Sequence, residues 1–233
     1  MISLDDVTIV TPSGTTVLHL VTLLVARGEV HALSSPSPTS AVFDAILGFL
    51  PPESGAIAIG GHDSVAHPHA VRRLTAVVRT EAGLEPRLSV RANVAFLLRL
   101  AGSAVPSARV IDAALRQAEI PDRRFDRFAA ELRDQERLAV SLAVARLRAT
   151  PAVLVDNQEV DWFGPEAEHF AALVRELAAT GPAVLVATGN PDFARAVADR
   201  VWVLEWGNIV LDWSRAGHRV MTTPLEFEHG HGP

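Results

Sequence analysis

Short apolar runs at residues 30–33, 152–156 and 183–187 alternate with longer amphipathic stretches at residues 165–179 and 191–199. A strand that is apolar on both faces must be buried on both, and the helices between such strands supply the cover. This order imposes a mainly parallel sheet with helices on either side. An antiparallel part precedes it. Residues 2–10 and 17–25 read as strands joined by the turn Thr11-Pro12-Ser13-Gly14, and 56–59 as a further strand ending at Gly60-Gly61. Residues 74–78 read as a strand, and 41–50 as a helix with Ser37 as N-cap and Pro38 in the first helical position. From 90 to 149 the pattern is helical, with segments at 90–100, 108–118, 124–128 and 134–148 punctuated by Pro106 and Pro121. A hairpin of 201–204 with 209–212 closes the periodic part. The predicted organisation is a core of residues 1–89 and 150–213, a helical subdomain of 90–149, and a poorly ordered tail of 214–233.

The chain has 233 residues and 48% are hydrophobic, ample for one α/β core. Its apolar runs fall far short of the roughly 20 residues of a membrane helix. No basic-then-apolar start reads as a signal peptide. The expectation is a soluble chain that reaches a membrane only through partners. Cysteine is absent, which excludes disulfides, thiolate metal sites and a cysteine nucleophile. The net charge of −6 gives no general attraction to nucleic acid. All 21 basic side chains are arginine, and tyrosine is absent too, so no chemistry here uses a lysine ammonium or a phenol. Among nine histidines, His62, His67 and His69 match no zinc spacing, and neither do His229 and His231; no metal is expected.

The ordered pieces resemble a known family. Gly28-Glu29-Val30-His31-Ala32-Leu33, then a loop, then Ala45-Ile46-Leu47-Gly48-Phe49-Leu50-Pro51-Pro52-Glu53-Ser54-Gly55-Ala56-Ile57 is similar to the phosphate-loop region of ABC ATPases. Arg87-Leu88-Ser89-Val90-Arg91-Ala92-Asn93-Val94 resembles the stretch that opens their helical subdomain. Residues 131–143 lie where the "LSGGQ" signature and its helix belong, and 151–156 look like the Walker B strand. Ala198-Asp199-Arg200-Val201-Trp202-Val203-Leu204 with Gly207-Asn208-Ile209-Val210 resembles the family's ending. The resemblance covers residues 2–212. It implies a P-loop NTPase-like, RecA-like α/β fold, with a mainly parallel sheet, an N-terminal antiparallel β part and a helical subdomain.

Carried over position by position, the resemblance implies a depleted ATP site. A phosphate loop works through successive backbone N–H groups, a lysine on the β/γ oxygens and a hydroxyl on Mg²⁺. Leu33, Pro36 and Pro38 stand where the family has glycines, Thr39 where it has the lysine, and Ala41 where it has the final threonine; Ser40 is kept. Each proline removes a donor and fixes φ. The base-stacking aromatic falls near Thr11 and Pro12, which cannot stack. Thr80 occupies the Q-loop glutamine position, Asn157 the catalytic glutamate position after Asp156, and Gly189 the H-loop histidine position. The D-loop region, Val160-Asp161-Trp162-Phe163-Gly164, has lost the family's pattern. The signature reads Leu132-Arg133-Asp134-Gln135-Glu136, which would set two carboxylates before a γ-phosphate. Asp156 and Ser40 are the remnants facing Mg²⁺, though a buried Asp ending a strand and a Ser opening a helix are also ordinary structure.

The resemblance therefore implies a subunit without bound ATP or Mg²⁺. Its partners would be membrane-spanning permease subunits and a second, competent ABC-type ATPase, and its place the cytoplasmic face of the cell membrane. Two alternatives remain open: a weakly active ATPase using Ser40, Asp156 and Glu159, and an interaction protein unconnected with transport.

Overall fold

The computed structural model describes residues 1–35, 40–79, 83–157, 164–215 and 217–219. Strands β1 (Ile2–Val10) and β2 (Thr16–Val25) form a hairpin. After β3 (Val30–Ser34) come α1 (Ser40–Ile46), β4 (Ser54–Ile59), β5 (His62–Asp63), α2 (Pro68–Leu74) and β6 (Thr75–Val78). The helices α3 (Val90–Leu100), α4 (Ala108–Gln117) and α5 (Asp134–Arg148) follow. Then come β7 (Ala152–Asn157), α6 (Pro165–Ala179), β8 (Ala183–Thr188), α7 (Pro191–Val197), β9 (Arg200–Glu205), β10 (Asn208–Ser214) and β11 (Gly217–Arg219).

The strands make two sheets. One is antiparallel, in the order β2-β1-β4-β5; the other runs β11-β10-β9-β3-β8-β7-β6. In the second, β9, β3, β8, β7 and β6 are parallel, and β10 and β11 add antiparallel strands at one edge. Alternation along the parallel strands divides the core. Leu33, Leu154, Leu185 and Trp202 pack toward the antiparallel sheet and α1. Ala32, Val153, Val155, Val184 and Val186 pack toward α6 and α7. A third cluster, with Val94, Leu115, Phe125 and Val140, joins α3, α4 and α5.

Several boundaries differ from the sequence expectation, each for a tertiary reason. Helix α1 ends at Ile46, not 50, because the chain turns at Gly48 (φ +73), where a Cβ would lie 2.4 Å from the Ser64 carbonyl oxygen. Helix α2 has only Val71 buried, so it carries no apolar periodicity to read, and it takes Leu74 from the predicted strand. The predicted helix at 124–128 does not form. Its carbonyls at Phe125 and Arg127 instead accept the N–H groups of Arg91 and Val90, the orphan donors of the first turn of α3. Short 3-10 turns flank it at Asp122–Arg124 and Ala129–Glu131. Asp199 is drawn out of α7: its N–H donates to the Val30 carbonyl (2.7 Å) and its carboxylate accepts from the Val30 N–H (2.9 Å). Within the predicted tail, Gly217–Arg219 pair with β10 as β11.

His31, on β3, is 5% exposed; its Nε2 lies 3.2 Å from Glu29, and its Nδ1 has no partner among the described residues. Burial pushes its pKa below the ordinary 6.5, outweighing the attraction of Glu29 for the charged form. Above that ordinary value both folded and unfolded chains hold it neutral. As pH falls below it, the unfolded chain takes up a proton that the folded chain resists, so stability falls. Urea unfolding between neutral and mildly acidic pH should show an excess loss, relative to His31→Gln, of up to about 1.4 kcal/mol per pH unit. Equal slopes would refute this role.

Candidate nucleotide site

The parallel strands end together at one edge of the sheet, where open α/β folds place their ligands. Register sets Ser34 beside Thr188, Asn157 beside Thr188, and Asp156 beside Ala187. Ser35, Asp156, Asn157, Thr188 and Gly189 are thereby gathered, although they lie far apart in sequence. The β3 end is stitched to β8: Ser35 N–H donates to the Thr188 carbonyl at 3.2 Å. Thr188 is fully buried and its Oγ1 accepts from Asn190 N–H at 3.1 Å. Asn190 then caps α7, accepting from the N–H groups of Asp192 and Phe193.

Asp156 is half-buried on β7, the residue before Asn157, and Ser40 is the exposed first residue of α1. Gly189 has no left-handed φ, and a Cβ there would meet the Ser35 carbonyl oxygen at 3.6 Å, an ordinary contact. A side chain fits at this position, so sterics do not explain the glycine. Pro36, Ser37, Pro38, Thr39 and Thr80 lie outside the described residues, as do the D-loop positions 160–163. One residue beyond β6 stands Arg79, next in register to Asp156, because Val78 pairs with Val155. Its Nε is buried without a partner among the described residues. Strand patterning does not single it out.

Thr11 turns its hydroxyl into the β1–β2 turn, where it meets Ser13 Oγ (2.8 Å) and the Thr15 carbonyl (3.3 Å). An aromatic ring does stand in the β9–β10 turn. It is Trp206, 85% exposed at φ +51, followed by Gly207, whose carbonyl accepts from His19 N–H. A Trp-Gly pair between two strands is the signal that could have found it.

At the signature position the structure corrects one expectation. Glu136 does not present its carboxylate outward; its side chain is 11% exposed. It accepts from the Arg133 N–H (3.0 Å) and from Arg124 Nε (3.1 Å), closing the first turn of α5 in the manner of an N3 glutamate. Arg124 reaches it from a turn that sequence alone could not place. Asp134 remains outward, 74% exposed and 3.9 Å from Arg137. Gln135 donates to Glu166 of α6 at 2.8 Å. Leu132 is buried in the helical cluster. Among the described residues, no group of three or more His, Asp or Glu could hold a metal ion.

Comparison with known proteins agrees with this geometry. A family model described as "ABC transporter" matches residues 18–159. The methionine import ATP-binding protein MetN of Bordetella avium is 30% identical over 215 residues, 87% of this chain and 58% of that protein. MetN of Caulobacter vibrioides is 31% identical over 227 residues, 90% of this chain and 66% of that protein. The chain thus spans less than two-thirds of the length of these relatives. Among solved structures, cbiO1 from Clostridium perfringens superposes with a TM-score of 0.76 at 20% identity, covering 91% of this chain and 88% of that one. The ATP-binding cassette MJ0796 bound to ADP and phosphate gives 0.77 at 22% identity, covering 92% and 98%. Strand order, the gathered carboxyl edge, the helical layer and a family match over more than half of the residues converge: this chain belongs to the ABC transporter family.

Proposed function

We propose that this chain is a cassette subunit of an ABC transporter that holds an assembly together without binding or hydrolysing ATP. The observation that carries the reading is the residue set at the carboxyl edge. Where hydrolysis needs a carboxylate base after Asp156, there is Asn157, whose amide takes no proton. Where the triphosphate needs a lysine there is Thr39, and the chain contains no lysine elsewhere. Pro36 and Pro38 remove two loop donors, and the Ser35 N–H is engaged by the Thr188 carbonyl. This donor set does not fit a triphosphate.

The scaffold away from that edge is intact. Asn93 and Asp199, both within stretches that resemble the family, have full sets of structural partners. Such a chain suits docking to membrane-spanning permease subunits and to a competent ATPase, at the cytoplasmic face of the membrane. Among the described residues, no helix is long and apolar enough to cross a membrane.

A second reading, a weakly active ATPase, draws on Ser40 and Asp156 in place, on Arg79 beside Asp156, and on relatives named as ATP-binding proteins. Isothermal titration of the purified chain separates the two. The expected result is a dissociation constant for Mg-ATP weaker than about 1 mM, with no phosphate release. Micromolar binding would establish the second reading instead.

A further inference from the structure

We infer that the seam between the helical layer and α6 is a binding site for a small organic cation with an apolar body. The seam holds a cavity of about 380 Å³, within the size range of small-molecule sites. It lies between the end of α4, the first half of α5 and α6. Ile120, Ala139, Phe170 and Leu173 supply apolar lining, and all four side chains belong to the buried core. Two polar bridges cross between the walls. His169 Nε2 of α6 lies 2.7 Å from Glu119 at the end of α4, and Gln135 of α5 donates to Glu166 of α6. Glu166 and His169 are one helical turn apart, so α6 contributes to both bridges from one face.

Charge decides what the cavity selects. Its lining carries three carboxylates, Glu119, Glu136 and Glu166, and one arginine, Arg133. Glu136 is answered by Arg124 and Arg133. Among the described residues, Glu166 meets only the neutral Gln135 amide, and Glu119 meets His169, which is charged only when protonated. Two carboxylates that meet no permanent cation among the described residues thus border an apolar slot. An ammonium group satisfies either of them in a charge-assisted hydrogen bond, which an alcohol of the same shape cannot match. A ligand seated there contacts α6 and the first turn of α5 together. It would therefore report on, and restrain, the residues at the signature position.

The test uses the whole chain and three probes sharing one apolar body: 4-phenylbutylammonium, 4-phenylbutanol and 4-phenylbutyrate. Titration should show saturable binding of the ammonium at least about tenfold tighter than the alcohol, with the carboxylate weakest. Glu166→Gln and Glu119→Gln, both at the solvent-facing rim, should each weaken the ammonium several-fold and leave the alcohol unchanged. Ala139→Leu should reduce both by narrowing the slot. Hydrogen exchange should slow at residues 118–120, 134–139 and 165–173 in the presence of the ammonium. Equal affinity of ammonium and alcohol would overturn the inference. So would the absence of saturation at millimolar ammonium, or unchanged ammonium binding in both glutamine variants. If Ala139→Leu fails to fold, the two glutamine variants decide alone.

Discussion

Replacing Pro36 and Pro38 with glycine, Thr39 with lysine and Ala41 with threonine is expected to tighten Mg-ATP binding by at least about a hundredfold. The two glycines return two backbone donors, and the lysine returns a charged donor for the β/γ oxygens. A charge-assisted hydrogen bond contributes roughly 1.5–3 kcal/mol, so the three together supply about 4.5–9 kcal/mol when geometry is ideal. Each 1.4 kcal/mol is about a factor of ten in affinity, and a hundredfold is a floor that allows for the missing base platform at Thr11. Adding Asn157→Glu and Gly189→His supplies the missing base and the H-loop residue, and Gly189 has room for a side chain. Measurable phosphate release is expected only in that combined variant. Titration calorimetry of the wild type and the loop variant provides the check. If the two bind Mg-ATP equally, the loop substitutions are not what governs nucleotide affinity, and the proposed function loses its main support.

Asn93→Ala is expected to cost about 2–3 kcal/mol of stability, toward the upper part of the usual range for a single substitution. Asn93 is fully buried in α3. Its Oδ1 accepts from the Glu85 N–H at 2.7 Å, and its Nδ2 lies 3.0 Å from the Glu85 carbonyl and 3.2 Å from that of Leu88. One amide thereby holds the loop that enters the helical layer. Truncation leaves the Glu85 N–H without its acceptor, at roughly 1–3 kcal/mol for a group left unsatisfied, while the Glu85 and Leu88 carbonyls keep the N–H groups of Leu88 and Ala129. The melting temperature should fall by about 5–10 °C for a chain of this size. A loss below about 1 kcal/mol for Asn93→Ala would show that the loop is held by other contacts.

The parallel core was legible because its signal is local. The strands at 152–155 and 183–187 are uniformly apolar, and the helices at 90–100 and 165–179 carry an apolar face. The ends of elements were less legible. Helix α2 is mostly exposed and lacks a pattern, and the segment 124–128 gave up helical geometry because its carbonyls serve the first turn of α3. The roles assigned to positions 36–41, 157 and 189 rest on the family resemblance, carried over position by position.

What the sequence by itself determined is the chemical inventory: no lysine, an asparagine after Asp156, a glycine after Thr188, and an acidic signature. Which of those charges meets a partner was decided only by the tertiary structure. Glu136 and Asp134 are alike in sequence, both acids in the first turn of α5. Packing of the 122–131 segment brings Arg124 to Glu136 and leaves Asp134 in solvent. The bridges Glu119–His169 and Gln135–Glu166 join residues 31 or more positions apart, beyond any helical or strand period. Local patterning fixes which face of an element is buried; which side chains meet across a seam depends on how whole elements dock.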